Sequence, residues 1–198
     1  MSAAEALARR LSRPGPAEHP AWSGDFDRDE DYPLASLPTP AAVLLALVDR
    51  ARPTILLTRR HAGLRQHPGQ VALPGGRIDP GEDARTAALR EAWEEVALPP
   101  SAATVHGQGA PYRTGTNFAV TPVIASVPAD LPLVASEAEV DVVFEMPADR
   151  LLDPAQYEEQ RSVWQGRERR FWSLTGPAEH RVWGATAGIL LSLARRLA

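Results

Sequence analysis

Three glutamates, Glu91, Glu94 and Glu95, stand at positions i, i+3 and i+4 of the segment GRIDPGEDARTAALREAWEEVAL, Gly76 to Leu98. At helical spacing their carboxylates share one face, and like charges so placed repel one another. An apolar stripe, Ala88, Leu89, Ala92 and Val96, recurs with the same period and commits the adjoining face to a core, which holds the carboxylates near the body of the protein. A hard divalent cation relieves that repulsion. Mg2+ and Mn2+ favour carboxylate oxygens and complete their shells with water and substrate phosphates, so metal-assisted phosphate chemistry is one reading of the cluster. A solvated acidic face with Arg85 and Arg90 as counter-charges is the plainer one. Gly75 and Gly76 lead into the segment, where absent side chains let backbone groups approach an anion or a metal. Arg90, four residues before Glu94, is placed to orient it.

The elements that must position these residues follow from apolar periodicity. A helix is expected from Asp83 to Val96, stopped by Pro99 and Pro100. Ala41–Val48 and Thr54–Arg59, separated by a turn containing Pro53, read as a buried hairpin. Phe118–Val127 reads as a strand and Val140–Phe144 as a further buried one. Asp149–Leu152 with Pro154–Gln160 reads as a short helical insertion, and Arg169–Ser173 as a last edge strand. Val182, Ala185, Ile189, Leu193 and Leu197 fall on one stripe, predicting a closing amphipathic helix in which Gly184 and Gly188, one turn apart, mark close packing. Residues 1–38 read as a proline-rich arm with an acidic run, Asp25 to Asp31, within which Ala3–Leu11 forms one short helix that docks elsewhere. Residues 39–198 form one α+β domain without internal repeats.

Composition narrows the function classes. The 198 residues carry 21 basic against 25 acidic side chains, a formal charge of −4, which does not suggest a surface built to hold nucleic acid. Hydrophobic residues at 44% and charged residues at 23% argue against a wholly disordered chain. The longest apolar run, Ala41–Val48, is too short to span a bilayer. Cysteine is absent, which excludes disulfides, thiolate metal sites and a cysteine nucleophile. Every one of the 21 basic residues is arginine, so Schiff-base chemistry is excluded too, and any anionic ligand must be held by arginine, backbone amides or metal. Arg9 and Arg10 fall where an export signal needs an apolar core, and a cytoplasmic location is expected.

Gly76, Glu82, Arg90, Glu91, Ala92, Glu94, Glu95 and Leu98 fall in register with G-x5-E-x7-R-E-U-x-E-E-x-G-U, U being aliphatic. The segment thus resembles the Nudix box. Ala97 stands where that family has glycine, at a cost of about 1 kcal/mol if the position needs a left-handed helix end. Upstream, Leu56, Leu57, Thr58, Arg60, Arg65, Gly69, Pro74, Gly75 and Gly76 match the signature L-L-T-x-R-(S or A)-x3-R-x3-G-x3-F-P-G-G, with His61 and Leu73 as departures. That stretch resembles the coenzyme A pyrophosphatases of the Nudix superfamily. Arg60 and Arg65 place two guanidinium groups before the glycine loop, suited to the phosphates of a polyanionic nucleotide. Strand alternation lets only one of Arg59 and Arg60 face the site, and the motif favours Arg60. Segments starting at Thr116, Ser136 and His180 are also similar to that family.

The resemblance implies an α/β/α sandwich with a mixed β-sheet and a Mg2+- or Mn2+-dependent hydrolase. The implied reaction cleaves the diphosphate of coenzyme A to 4'-phosphopantetheine and adenosine 3',5'-bisphosphate. It implies Glu91 and Glu95 as principal metal ligands, with Glu94 in or beside that shell and a Gly75 or Gly76 carbonyl assisting, while Glu82 supports the loop. Glu139, then Glu137, are the candidates for the base that takes the proton of the attacking water, and a homodimer is plausible for such a protein. The box dictates diphosphate cleavage and leaves the leaving groups open, so an ADP-sugar or a dinucleotide is the alternative substrate. A nucleotide-sensing module without turnover is the alternative from another class, disfavoured because the box carboxylates are all present. His67 is the one histidine placed to touch a phosphate. Trp93, two residues past Glu91, points away from the carboxylates, whereas Trp164, Trp172 and Trp183 read as core or dimer contacts.

Overall fold

Alternate residues of the strand Thr39–Asp49 (β2) enter two different cores: Ala41, Leu45 and Leu47 pack in one, Ala42, Leu44, Ala46 and Val48 in the other. A strand apolar on both faces belongs in mid-sheet with cover above and below. The computed structural model describes residues 1–13, 23–24, 37–64, 67–164, 167–175 and 180–197, and β2 is central in it. It runs parallel to Phe118–Pro128 (β8) along its whole length, from Thr39↔Phe118 to Asp49↔Pro128. On its other side it meets Gly75–Arg77 (β5) at Ala41–Val43, and Thr54–Arg60 (β3) only at Leu47↔Ile55 and Val48↔Thr54. The expected hairpin is therefore present but short. β3 continues the sheet by pairing with Val71–Ala72 (β4) and with Val140–Pro147 (β9). Beyond β8 lie Thr104–Gln108 (β6) and Tyr112–Arg113 (β7), both antiparallel to it, and Ser23–Gly24 (β1), parallel to β7.

The helix Ala84–Val96 (α2) covers one face of this mixed sheet through Ala87, Ala88, Ala92 and Val96. The other face is covered by Ala3–Leu11 (α1), Ala148–Leu151 (α3) and Gly184–Ala194 (α4). The result is the expected α/β/α sandwich. In α1 the Ser2 hydroxyl accepts from the Glu5 N–H while the Glu5 carboxylate accepts from the Ser2 N–H, a reciprocal cap. Its Ala4, Ala8 and Leu11 are fully buried, so the short helix expected in the arm docks on β2, β6 and β8.

Four local expectations are corrected. The strand from Val140 extends to Pro147 and is buried only at Val140 and Met146, because it flanks β3 with no strand beyond it among the described residues. The helical insertion ends earlier than Gln160: a short turn at Pro154–Gln156 leads directly into Tyr157–Trp164 (β10). β10 pairs with Arg167–Leu174 (β11) as a separate two-stranded ribbon, so Arg169–Ser173 is no edge of the main sheet. The ribbon is anchored at its base, where Tyr157 and Leu174 are buried and the Tyr157 hydroxyl donates to the Leu151 carbonyl at 2.6 Å. Finally, α4 is not amphipathic. Ala187, Gly188, Ile189, Leu190, Leu191, Leu193 and Ala194 are all buried, since β11, β7 and α3 also pack on the helix and leave little of it to water. Gly188 is required there, because a Cβ would fall 2.1 Å from the Tyr112 hydroxyl oxygen. Among the described residues no helix is long and apolar enough to cross a membrane.

Candidate active site

Helix α2 is fixed at both ends. Asp83 caps its start, accepting from the Thr86 N–H at 2.7 Å. Its end is Ala97 in a left-handed conformation, φ 54° and ψ 32°, whose N–H reaches the carbonyls of Ala92 and Trp93. The chain leaves the helix through this conformation two residues before Pro99, which cannot continue it.

The three box glutamates occupy different environments. Glu95 is 3% exposed. One of its oxygens accepts from the Gly75 N–H at 3.1 Å, and the other lies 3.6 Å from Nη1 of Arg60. Burial pushes the Glu95 carboxyl up to about 7, with the charges of Glu91 and Glu139 adding to the rise and Gly75 and Arg60 opposing it. Glu91, one turn earlier and partly buried, is also pushed up by burial, against a hydrogen bond from Arg90. Glu94 is instead 51% exposed and is held by Arg90 at 3.1 Å. The i, i+3, i+4 spacing thus resolves into an inward pair one turn apart and an outer carboxylate.

The glycine strand explains how the pair is approached. A Cβ on Gly76 would lie 2.4 Å from a Glu91 carboxylate oxygen, and a Cβ on Gly75 would lie 2.3 Å from the Ala42 carbonyl oxygen. Gly75 must be glycine for β5 to lie against the β2 backbone, and a side chain at Gly76 would push the Glu91 carboxylate out of its present place. Arg90 ties the helix to this loop. Its Nε and Nη2 each donate to a Glu82 oxygen at 3.1 Å, Nη2 also donates to the Arg77 carbonyl at 3.0 Å, and Nη1 reaches Glu91 at 3.0 Å. Glu82 in turn accepts from the Asp79 N–H at 3.1 Å. The bidentate pair holds the Glu82 carboxyl below, and the Arg90 guanidinium above, their ordinary values.

Arg60, whose guanidinium lies beside Glu95, stands where the β3–β9 register shifts between Arg59 and Arg60. Its Nε is buried without an acceptor among the described residues. The Arg60 N–H donates to the Gln70 carbonyl and the Gly69 N–H to the Arg60 carbonyl, closing the signature loop; Arg65 lies outside the described residues. Glu139 is exposed, and its backbone is held from two sides, its carbonyl accepting from the His61 N–H at 2.8 Å and its N–H donating to the Ser136 carbonyl at 3.0 Å. Ser136 N–H donates in turn to the Glu95 carbonyl, so this loop and the buried pair are one unit. Glu137 is exposed beside it.

Of the two departures from the upstream signature, Leu73 is a core residue and His61 pairs with Asp141 at 3.6 Å. His67 is exposed with φ 54°, His106 bonds to Ser126 at 2.8 Å, and His180 stacks on Phe144 at 4.3 Å. Trp93 is exposed, Trp183 packs on Phe171, Trp172 lies under Arg195, and the Trp164 side chain falls outside the described residues. Sequence reasoning missed the inward–outward split of the glutamates and the Gly75 N–H as a donor to Glu95. No local pattern carries either, since both depend on β5 lying against α2.

Among the described residues no three acidic or histidine side chains converge as they stand to hold a metal ion. Two carboxylates, with the rest of the shell drawn from water and substrate, are nevertheless what Mg2+ commonly takes. Glu91 and Glu95 fit that donor set.

The NUDIX domain pattern matches residues 38–165. A protein of Escherichia coli strain K12 described as "Uncharacterized Nudix hydrolase NudL" is 47% identical over 158 residues, covering 79% of this chain and 82% of its own. A protein of Shigella boydii serotype 4 with the same description matches to the same extent. Among solved structures, a MutT/nudix family protein from Enterococcus faecalis aligns over 100% of this chain and 74% of its own with a TM-score of 0.52 and 15% identity, a likeness of fold. Matched in sequence across the central strands, the glycine loop and the carboxylate helix alike, the chain belongs to the Nudix family.

Proposed function

We propose that this chain is a Mg2+- or Mn2+-dependent hydrolase of coenzyme A or its derivatives, cleaving the diphosphate to 4'-phosphopantetheine and adenosine 3',5'-bisphosphate. The observation that carries the reading is the meeting of Arg60, from the upstream signature, with the buried Glu95 of the box. Both departures from that signature leave this meeting intact, Leu73 being in the core and His61 on Asp141.

Glu91 and Glu95 hold the cation, and Glu94 stands beside them under the control of Arg90. When bound, the ion offsets diphosphate charge and lowers the pKa of a coordinated water. Gly75 and Gly76 keep the loop close enough for the diphosphate to reach the carboxylates. Arg60 and Arg65 engage the phosphates. Glu139, whose charge is felt at both Glu91 and Glu95, takes the proton as the water oxygen attacks phosphorus and the bridging P–O bond breaks.

The test is chromatographic product analysis after incubation with coenzyme A, ADP-ribose, NADH and diadenosine polyphosphates in Mg2+ or Mn2+, for the wild type and Glu95→Gln. Coenzyme A alone should yield phosphopantetheine and adenosine bisphosphate, and the variant should lose at least about 100-fold in rate. Preference for another diphosphate discards the coenzyme A reading and keeps the hydrolase; no turnover of any of them favours a nucleotide-sensing module.

A further inference from the structure

Arg60 is held at the carboxylate pair by charge and not by fitted geometry. Its Nη1 lies 3.6 Å from the Glu95 oxygen, outside hydrogen-bonding distance, and its Nε is buried without an acceptor among the described residues. A guanidinium normally satisfies a fork of donors on a carboxylate or phosphate. This one is brought to a carboxylate and satisfied by none of its oxygens. The other Glu95 oxygen accepts from the Gly75 N–H, so the oxygen facing Arg60 is the one that keeps both lone pairs for a cation. A divalent ion on that oxygen and the Arg60 guanidinium would then be two positive charges crowded onto one site.

We propose that Arg60 is an antagonist of cation binding at Glu95: cation binding expels the guanidinium from the carboxylate, and the freed fork becomes the donor that captures a diphosphate anion. Arg60 in this sense couples cation loading to anion capture. The inference rests on the metal role assigned above to Glu91 and Glu95. It assigns the orphaned Nε a purpose, since the fork finds its acceptors on phosphate oxygens once released. Relief of the buried carboxylate's repulsion by the ion compensates for the loss of the arginine.

Titration with Mn2+ alone, followed by the electron paramagnetic resonance signal of the free ion, tests the coupling without turnover. Wild type, Arg60→Gln, Arg60→Met, Arg60→Lys and Glu95→Gln are compared at pH 8. Both neutral variants should bind Mn2+ about 10-fold more tightly than the wild type, a factor worth one pKa unit of interaction. Arg60→Lys, which keeps the charge, should stay within about 2-fold of the wild type. A merely structural Arg60 would weaken Mn2+ binding in all three. Equal or weaker binding in the folded neutral variants overturns the proposal, and two neutral replacements of different polarity guard against one failing to fold. Glu95→Gln separates the two readings: if it leaves Mn2+ affinity unchanged, the metal role of Glu95 fails and the antagonism falls with it. If only the Arg60 variants behave unexpectedly, the metal role stands and the antagonism alone is lost.

Discussion

At the scale of single residues, the decisive fact is that a carboxylate has been placed where it is costly. Glu95 is buried with one backbone N–H and an imperfectly placed guanidinium for company, and its carboxyl is pushed up to about 7. Because the folded value lies above the ordinary 4.5, the folded state binds the proton more tightly than the unfolded chain. The associated stability is fully present below about 4.5 and is lost as pH rises to about 7. In chelator the wild type should therefore lose on the order of 3 kcal/mol relative to Glu95→Gln between pH 4.5 and pH 8. Thermal unfolding of the pair across that range checks it: the variant should be the more stable at pH 8 while being the less active enzyme. Parallel melting curves at all pH values would contradict it. Strain of this kind, tolerated at one position and unexplained by packing, is what sites of chemistry look like in a stable fold.

At the scale of elements, α2 is a lever whose two ends set the pair. Its start is secured by Asp83, and its end turns through Ala97 with φ 54°. A non-glycine residue in that region pays for its Cβ. Ala97→Gly should stabilise the protein by about 1 kcal/mol, raising Tm by roughly 2–4 °C in a chain of this size. Differential scanning calorimetry reads the change directly, and unchanged or lowered Tm would show that the unfolded-state entropy of glycine outweighs the relief. Much of this element was legible beforehand. The helix limits and the core-facing Ala88, Ala92 and Val96 follow from periodicity, because helix formation is largely a local affair, while a left-handed end was raised only as a condition by the resemblance, at its mismatched position Ala97. Tyr157–Gln160 is strand and not helix, and Arg169–Ser173 is the expected strand but in a separate sheet, for the opposite reason. Their partners are each other, across a register that runs from Tyr157↔Leu174 to Trp164↔Arg167, and short stretches with mixed charge advertise no period of their own.

At the scale of the whole molecule, the sheet is completed on one face by an element far away in the chain. Helix α1 inserts Ala4, Ala8 and Leu11 into the same core as Leu45, Ile124 and Leu190, so the first residues are part of the fold's stability. Leu11→Ala should cost about 2–5 kcal/mol, measured as a lowered midpoint in urea with an unchanged slope. A cost below about 0.5 kcal/mol would mean that α1 is not docked in solution. The same sandwich aligns the elements of the proposed site. β3 carries Arg60, β5 carries the two glycines and α2 carries the glutamates, and all meet at the end of the sheet where β2 begins.

The amino-acid sequence by itself determined the family and the local scaffold. The register of glutamates and arginines, the glycine pair, the carboxylate helix, and strands apolar on both faces are properties of neighbouring residues and their spacing. Tertiary structure alone decided which carboxylates are buried and which is left in water, that Arg60 meets Glu95, that the Glu139 loop is tied to the end of α2, and that α1 closes the core. Each of these is a desolvation or a contact between residues far apart in the chain. Desolvation depends on what covers a residue, which no periodicity along the chain records.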